Sequence, residues 1–273
     1  MGQLMNGKRG LIMGVANDHS IAWGIAKKRS EAGAELAFTY QGDNFGKRVK
    51  PLAAELGSDI LLPCDVEDIA TVDAVFDTLK EKWGRLDFVV HAIGFSDRNE
   101  LKGLYAETTR ENFTRTMLIS AFSFTEAAKR AAALMSKGGS MLTLTFGGST
   151  RVMPNYNVMG VAKAALEASV RYLAADFGPS GIRVNAISAG PVRTLAGAGI
   201  SDARAMFAFQ KQHSPLRRSV TIEQIGGSAL YLLSDLSAGV TGEIHYVDAG
   251  YNVISMPHPD DLDSEGKAPK AAE

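Results

Sequence analysis

The stretch Gly10-Leu11-Ile12-Met13-Gly14-Val15-Ala16-Asn17-Asp18-His19-Ser20-Ile21-Ala22-Trp23-Gly24 decides the fold. Residues 10–16 are an apolar burst that reads as a buried strand, and Ser20 to Gly33 reads as a helix. Gly14 stands directly after the strand, and Ser20 stands as N-cap where the helix opens. A helix N-terminus with free backbone N–H groups attracts a pyrophosphate, and a glycine beside it permits close backbone approach. Gly24 would permit tight packing of helix on sheet. The spelling is not G-x-G-x-x-G, so position carries the reading. An ordinary β-α turn with an N-cap serine is its competitor.

The rest of the chain repeats the rhythm of that first unit. Glu35 to Tyr40, Asp59 to Cys64, Leu86 to Ile93, Ser140 to Phe146, Arg183 to Ser188 and Glu243 to Asp248 read as further strands. Helices are expected over Asn44 to Leu56, Arg110 to Met135, Tyr156 to Phe177 and Ile222 to Ser234. Another is marked by Val72, Val75, Phe76, Leu79 and Trp83 at spacings of three and four. Uninterrupted apolar strands alternating with helices predict a parallel sheet covered on both faces. The expected fold is therefore α/β, a single Rossmann-like doubly wound domain over residues 1–256. Residues 257–273 lack apolar periodicity and are expected to form a disordered tail.

Composition narrows the function classes. Of 273 residues, 45% are hydrophobic, too many for an intrinsically disordered chain. Twenty-nine basic against thirty acidic residues give a net charge of −1, which invites neither nucleic acid nor an acidic membrane surface. Cys64 is the sole cysteine, so an intramolecular disulfide and a cysteine-only zinc site are both excluded. The five histidines are scattered without carboxylates at metal-ligand spacing, and no metal is expected. No apolar run approaches the ~20 residues of a membrane span. The run Leu11 to Ala16 is too short for a signal-peptide core, and Asn6 stands where myristoylation wants Ser or Thr. A cytoplasmic protein is the expectation.

The strand ends carry the candidate binding residues. Strand two ends at Tyr40-Gln41-Gly42, with neither the carboxylate that binds ribose hydroxyls nor an arginine for a 2′-phosphate. Gln41 can hydrogen-bond the ribose edge without adding charge, which favours NAD over NADP. Asp65 can accept from an adenine amino group with Val66 as its apolar wall, or can equally cap a helix. Strand four ends His91-Ala92-Ile93-Gly94 at a crevice where open α/β sheets bind ligands. His91 itself, single in an apolar strand, reads as a hydrogen-bonded core residue.

The chemistry is expected between Phe146 and Lys163. If a helix starts near Tyr156, Lys163 lies seven residues on and within about 20° of the same face. A phenol near an ammonium suits hydride transfer: the phenol donates to an oxygen gaining negative charge, and the cation supports it and holds cofactor ribose.

These motifs resemble the short-chain dehydrogenase/reductase superfamily, and within it the divergent bacterial NADH-dependent enoyl-[acyl-carrier-protein] reductases. The resemblance covers about the first 250 residues. It rests on Gly14-x5-Ser20-Ile21, Phe38-Thr-Tyr-Gln41, Cys64-Asp65-Val66, His91-x-Ile93-Gly94-Phe95, Pro154-Asn-Tyr156-Asn-Val-Met159-Gly160 and Asn185 through Ala196. The Tyr-x6-Lys spacing discriminates, because the wider superfamily places its tyrosine four residues before the lysine, where this chain has Met159.

The resemblance implies NADH as cofactor, with Tyr156 and Lys163 catalytic. Cofactor contacts would come from Gly14, Ser20, Ile21, Gln41, Asp65, Val66, Ile93, Gly94 and Lys163, together with Val192, Arg193, Thr194, Leu195 and Ala196. It places Phe95, Ser96, Phe146, Tyr156, Met159, Ala196, Ile200 and Met206 beside an acyl substrate. A lid is expected near 192–211. Partners implied are an acidic acyl-carrier protein, met by Arg193, Arg204, Lys211, Arg217 and Arg218, and further copies of the chain in a homotetramer packed through the alanine-rich helix 156–177. One departure stands out: many relatives carry a second tyrosine where this chain has Phe146, which cannot donate a hydrogen bond.

The implied reaction is reduction of a trans-2-enoyl-[acyl-carrier-protein] in type II fatty-acid biosynthesis. Two alternatives stand beside it: a short-chain reductase acting on a ketone or alcohol, and a non-catalytic dinucleotide sensor.

Overall fold

The computed structural model describes residues 3–195, 203–258 and 261. Seven strands form one wholly parallel sheet: β1 (Arg9–Met13), β2 (Glu35–Tyr40), β3 (Ile60–Pro63), β4 (Phe88–His91), β5 (Gly139–Thr145), β6 (Ile182–Ala189) and β7 (Ile244–Val247). Their order is β3-β2-β1-β4-β5-β6-β7. The direction of winding reverses between β1 and β4, and such switch points open a crevice at the carboxyl ends of the strands.

Both faces of the sheet are buried, and the strand residues alternate between them. Leu11, Met13, Val89 and Met141 enter one apolar core with α3 (Ile69–Trp83), α5 (Ser123–Leu134) and α6 (Asn157–Phe177). Ile12, Phe88, Val90 and Leu142 enter the other, with α1 (Ile21–Glu31), α2 (Gly42–Glu55) and α8 (Ile222–Leu233). The period of two is present even though each strand reads as a continuous apolar run, because both faces are dry.

Three local findings differ from expectation. The single helix expected over Arg110 to Met135 is α4 (Arg110–Met117) joined to α5 by a π-helical turn, Leu118–Phe122. Residues Ala203–His213 form a further helix, α7, which the sequence reading took only as the apolar end of a lid. Gly24 serves helix-on-helix packing rather than helix-on-sheet. A Cβ at Gly24 would stand 2.6 Å from the Ile222 carbonyl oxygen, and one at Gly226 would stand 2.6 Å from that of Gly24. The two glycines let α1 and α8 touch backbone to backbone. Among the described residues no helix is long and apolar enough to cross a membrane.

Candidate active site

The expected binding residues fall at the carboxyl edge of the sheet. Gly14 follows β1 with φ +100°, and a Cβ there would lie 2.2 Å from the Ala92 carbonyl oxygen beyond β4. Only glycine fits that junction. Ser20 is the N-cap residue of α1 by position, but its side chain does not cap the helix. Its Oγ instead accepts from the N–H groups of Ala16 and Asn17, at 3.0 and 3.1 Å. The serine thus closes the β1–α1 loop and leaves the first turn of α1, from Ile21, with no side-chain cap.

At the β2 and β3 ends, Gln41 Nε2 donates to Asp65 Oδ2 at 3.0 Å. Asp65 is not a helix cap: Asp68 caps α3, while Asp65 Oδ1 accepts from the Glu67 N–H. Cys64 and Val66 are buried beside it, the thiol pushed up to about 11 by desolvation. His91 is fully buried. Its Nε2 lies 2.9 Å from Ser123 Oγ, and Nδ1 lies 3.3 Å from Thr143 Oγ1. Each of those hydroxyls also has a backbone acceptor: Ser123 Oγ donates to the Ile119 carbonyl at 2.7 Å and Thr143 Oγ1 to the His91 carbonyl at 3.1 Å, so both ring nitrogens are held inside the core. Burial, with the Lys163 charge nearby, pulls His91 down to about 3, which fits a core residue.

Ile93 is half-buried against the core, and Gly94 lies over the lysine: a Cβ at Gly94 would stand 3.6 Å from Met159 Cε and 3.8 Å from Lys163 Nζ. Phe95 is 40% exposed, stacked under the Arg115 guanidinium at 4.5 Å. Its N–H donates to Ser120 Oγ, on the π turn, at 2.9 Å. The Ser96 hydroxyl accepts from Thr116 Oγ1 and Asn112 Nδ2, at 3.0 and 3.2 Å, so α4 holds it in place.

Tyr156 is the N-cap residue of α6, set between Asn155 and Asn157 at φ 57° and 35°. Positive φ in two asparagines around one side chain is backbone strain of the kind found at functional positions. The tyrosine is buried, and its ring meets Phe146 edge-on with centroids 5.3 Å apart. Among the described residues nothing hydrogen-bonds its hydroxyl, and burial raises its pKa, so the group is a neutral donor at neutral pH. Lys163 is buried with Nζ donating to the Leu144 carbonyl at 2.8 Å. Desolvation pulls it down to about 8, with Glu167 acting in the opposite direction.

Phe146 and Tyr156 wall a narrow apolar cleft with Met153, Pro154, Pro191, Met206, Phe207 and Gln210. Val192 packs on the second core, and Thr194 N–H closes a tight turn onto the Val192 carbonyl at 2.8 Å. Arg193 and Leu195 are exposed. Ala196 and Ile200 lie outside the described residues.

Comparison with known proteins fits this arrangement. The sequence model of the family described as enoyl-(acyl carrier protein) reductase matches residues 14–252. Enoyl-[acyl-carrier-protein] reductase [NADH] 2 of Rhizobium meliloti (strain 1021) is 80% identical over 257 residues, 94% of this chain and 96% of that protein. This chain belongs to the enoyl-[acyl-carrier-protein] reductase family.

Solved structures of the family superpose closely. FabI from Candidatus Liberibacter asiaticus is 63% identical with a TM-score of 0.93, covering 94% of this chain and 100% of that one. The Anaplasma phagocytophilum enoyl-(acyl-carrier-protein) reductase in complex with NAD is 58% identical with a TM-score of 0.92, covering 94% and 98%.

Sequence reading missed three residues at this site of an enoyl-[acyl-carrier-protein] reductase. Gln210 is buried against the cleft, and with Met206 and Phe207 it has the three- and four-residue spacing that marks a helix face. Ser120 sits on a π turn, for which no sequence signal was available. Glu167 is a buried carboxylate one turn beyond Lys163, and its place eleven residues after Tyr156, within about 20° of the same helix face, is the signal that could have found it.

Proposed function

We propose that the protein reduces trans-2-enoyl-[acyl-carrier-protein] to the saturated acyl thioester with NADH, in the cytoplasm, as a homotetramer. The observation that carries this reading is the buried phenol of Tyr156, without a hydrogen-bond partner among the described residues, on the wall of an apolar cleft, within a family chain whose lysine lies beneath Gly94.

The residues at the edge fit a dinucleotide. The glycine turn at Gly14 opens beside the uncapped first turn of α1, whose N–H groups suit a pyrophosphate. Gln41 and Asp65 offer uncharged and acidic partners for the adenosine end, and Lys163 would hold the nicotinamide ribose through its ammonium. NADH, when bound, supplies a hydride for C3 of the enoyl thioester. Tyr156 donates to the thioester oxygen as negative charge moves onto it. An apolar surround makes that donor worth more than it would be in water. Phe146 contributes shape alone, since it has no group to donate.

Around the reacting atoms, Phe146, Met153, Met206 and Phe207 exclude water from the acyl chain. Residues 192–195 and the α7 helix are the described parts of the proposed lid. Arg204 and Lys211 on α7 are exposed at its surface and suit an acidic carrier protein. Arg217 is already paired with Asp261 at 2.8 Å, and Arg218 with Gln224 at 2.8 Å. Exposed Ala164, Ala175, Val161 and Tyr172 on α6 offer the proposed subunit contact.

The test is NADH oxidation with matched thioesters. Turnover is expected with trans-2-enoyl thioesters and not with 3-oxoacyl thioesters. Turnover of the ketone alone would move the protein to the carbonyl reductases. NADH binding with no turnover of either would mark a sensor.

A further inference from the structure

Helix α6 grips three consecutive residues at the end of β5. The Tyr156 ring meets Phe146, Lys163 Nζ donates to the Leu144 carbonyl at 2.8 Å, and Glu167 Oε1 accepts from Thr145 Oγ1 at 2.6 Å. Lys163 and Glu167 are four residues apart on the same helix and are only 7% and 5% exposed. An ammonium taken out of water needs a compensating charge, or it sheds its proton. Among the described residues no carboxylate lies within 4.0 Å of Nζ, so Lys163 has no direct ion pair.

Among the described residues, the groups facing Lys163 leave one source of negative charge. From β4 comes His91, which is neutral; from α6 itself come Tyr156, also neutral, and Glu167. Thr145 on β5 and Ser120 on the π turn carry hydroxyls only. The 2.6 Å contact from the Thr145 hydroxyl is in the range of a hydrogen bond to an ionised carboxylate. Thr145 therefore fixes the carboxylate while leaving its charge to act on Lys163 through the dry wall of the helix.

We propose that Glu167 is a positioning residue: anchored by Thr145, its carboxylate supplies the counter-charge that keeps the Lys163 ammonium charged at the end of β5. This rests on the reading above, in which that ammonium holds the cofactor ribose. Desolvation already pulls Lys163 down to about 8, and Glu167 pulls the other way. Removing the Glu167 charge must therefore lower Lys163 further and thin its charged form near neutral pH.

The experiment is a pH series of NADH dissociation constants, read by nucleotide fluorescence, for the wild type, Glu167→Gln and Glu167→Asp. Wild-type affinity is expected to fall as pH rises through about 8. Glu167→Gln keeps an oxygen for the Thr145 hydroxyl and loses only the charge. Its midpoint is expected about one pH unit lower, a roughly fivefold loss against wild type at pH 8 that approaches tenfold above it, with near-wild-type affinity at low pH. Glu167→Asp, with the charge withdrawn by one methylene, is expected between the two. A Gln variant that follows the wild-type midpoint, or is weaker by the same factor at every pH, overturns the proposal. If the Gln variant does not fold, an unmoved midpoint in the Asp variant overturns it. A 13C titration of the Lys163 resonance in the protein without nucleotide gives the same comparison independently. If that resonance moves as expected while no form binds NADH, the Glu167 role stands and the reductase reading fails.

Discussion

At the β2–β3 end of the carboxyl edge, Gln41 and Asp65 meet 3.0 Å apart with Gln41 in the open. At the β5–α6 end, Tyr156, Lys163 and Glu167 are each less than a tenth exposed. The first pair sits in high dielectric, where a hydrogen bond contributes little and its partners can be exchanged for a ligand's. The second group bears the full penalty of desolvation, so its placement must be dictated by the framework. The last two residues of β5, Phe146 directly after them, and one face of α6 provide that. Under the function proposed above, the difference would separate two tasks along one edge: adaptable recognition of a nucleoside at one end, and fixed charge and proton donation at the other.

The contrast can be broken first at Tyr156. Losing a lone oxyanion donor typically costs about 10²–10³ in kcat. Tyr156→Phe is expected to lower single-turnover rates by that factor at saturating enoyl thioester, with NADH affinity unchanged within about twofold. A variant that kept most of its chemical rate would leave Tyr156 as cleft wall and nothing more.

At the open end the effect should be smaller. Gln41→Ala removes one exposed hydrogen-bonding group, worth about 0.5–1.5 kcal/mol, so NADH affinity is expected to fall by about two- to tenfold. The wild type should prefer NADH to NADPH, since Lys47 and Arg48 on α2 are both exposed and no cation stands at Gln41 itself. Equal kcat/KM for the two nucleotides would show that one of those cations reaches a 2′-phosphate.

Phe146→Tyr should change least. It adds a hydroxyl where Tyr156 already serves as donor, and the expected change in kcat is under about threefold. A large gain would mean that the donor at position 156 is badly aimed.

Much of this was legible in the sequence because it rests on local chemistry. Apolar bursts bounded by polar stretches marked all seven strands, and the seven-residue interval marked Tyr156 and Lys163 as a unit. What escaped is set by tertiary contacts. The role of Gly24 depends on Gly226, some two hundred residues away, and Ser20 spends its hydroxyl on the loop behind it instead of on the helix ahead. Glu167 is polar at a buried helix position, and only the arrival of Thr145 explains it.

The π turn at Leu118–Phe122 carries one residue more than an α-helical turn over the same span, and absorbs it locally. The two flanking halves therefore keep the phase of a shorter, regular helix: Asn112 and Thr116 hold Ser96 on one side, while Ser123 and Phe124 dock against His91 and the core on the other. The surplus residue is spent on the turn itself, where the Ser120 hydroxyl accepts from the Phe95 N–H and donates to the Phe95 carbonyl, each at 2.9 Å. Deleting one residue of the five would thus leave both halves seated and take away the grip on Phe95. An irregularity of this kind adds a contact to an old scaffold without asking the scaffold to move.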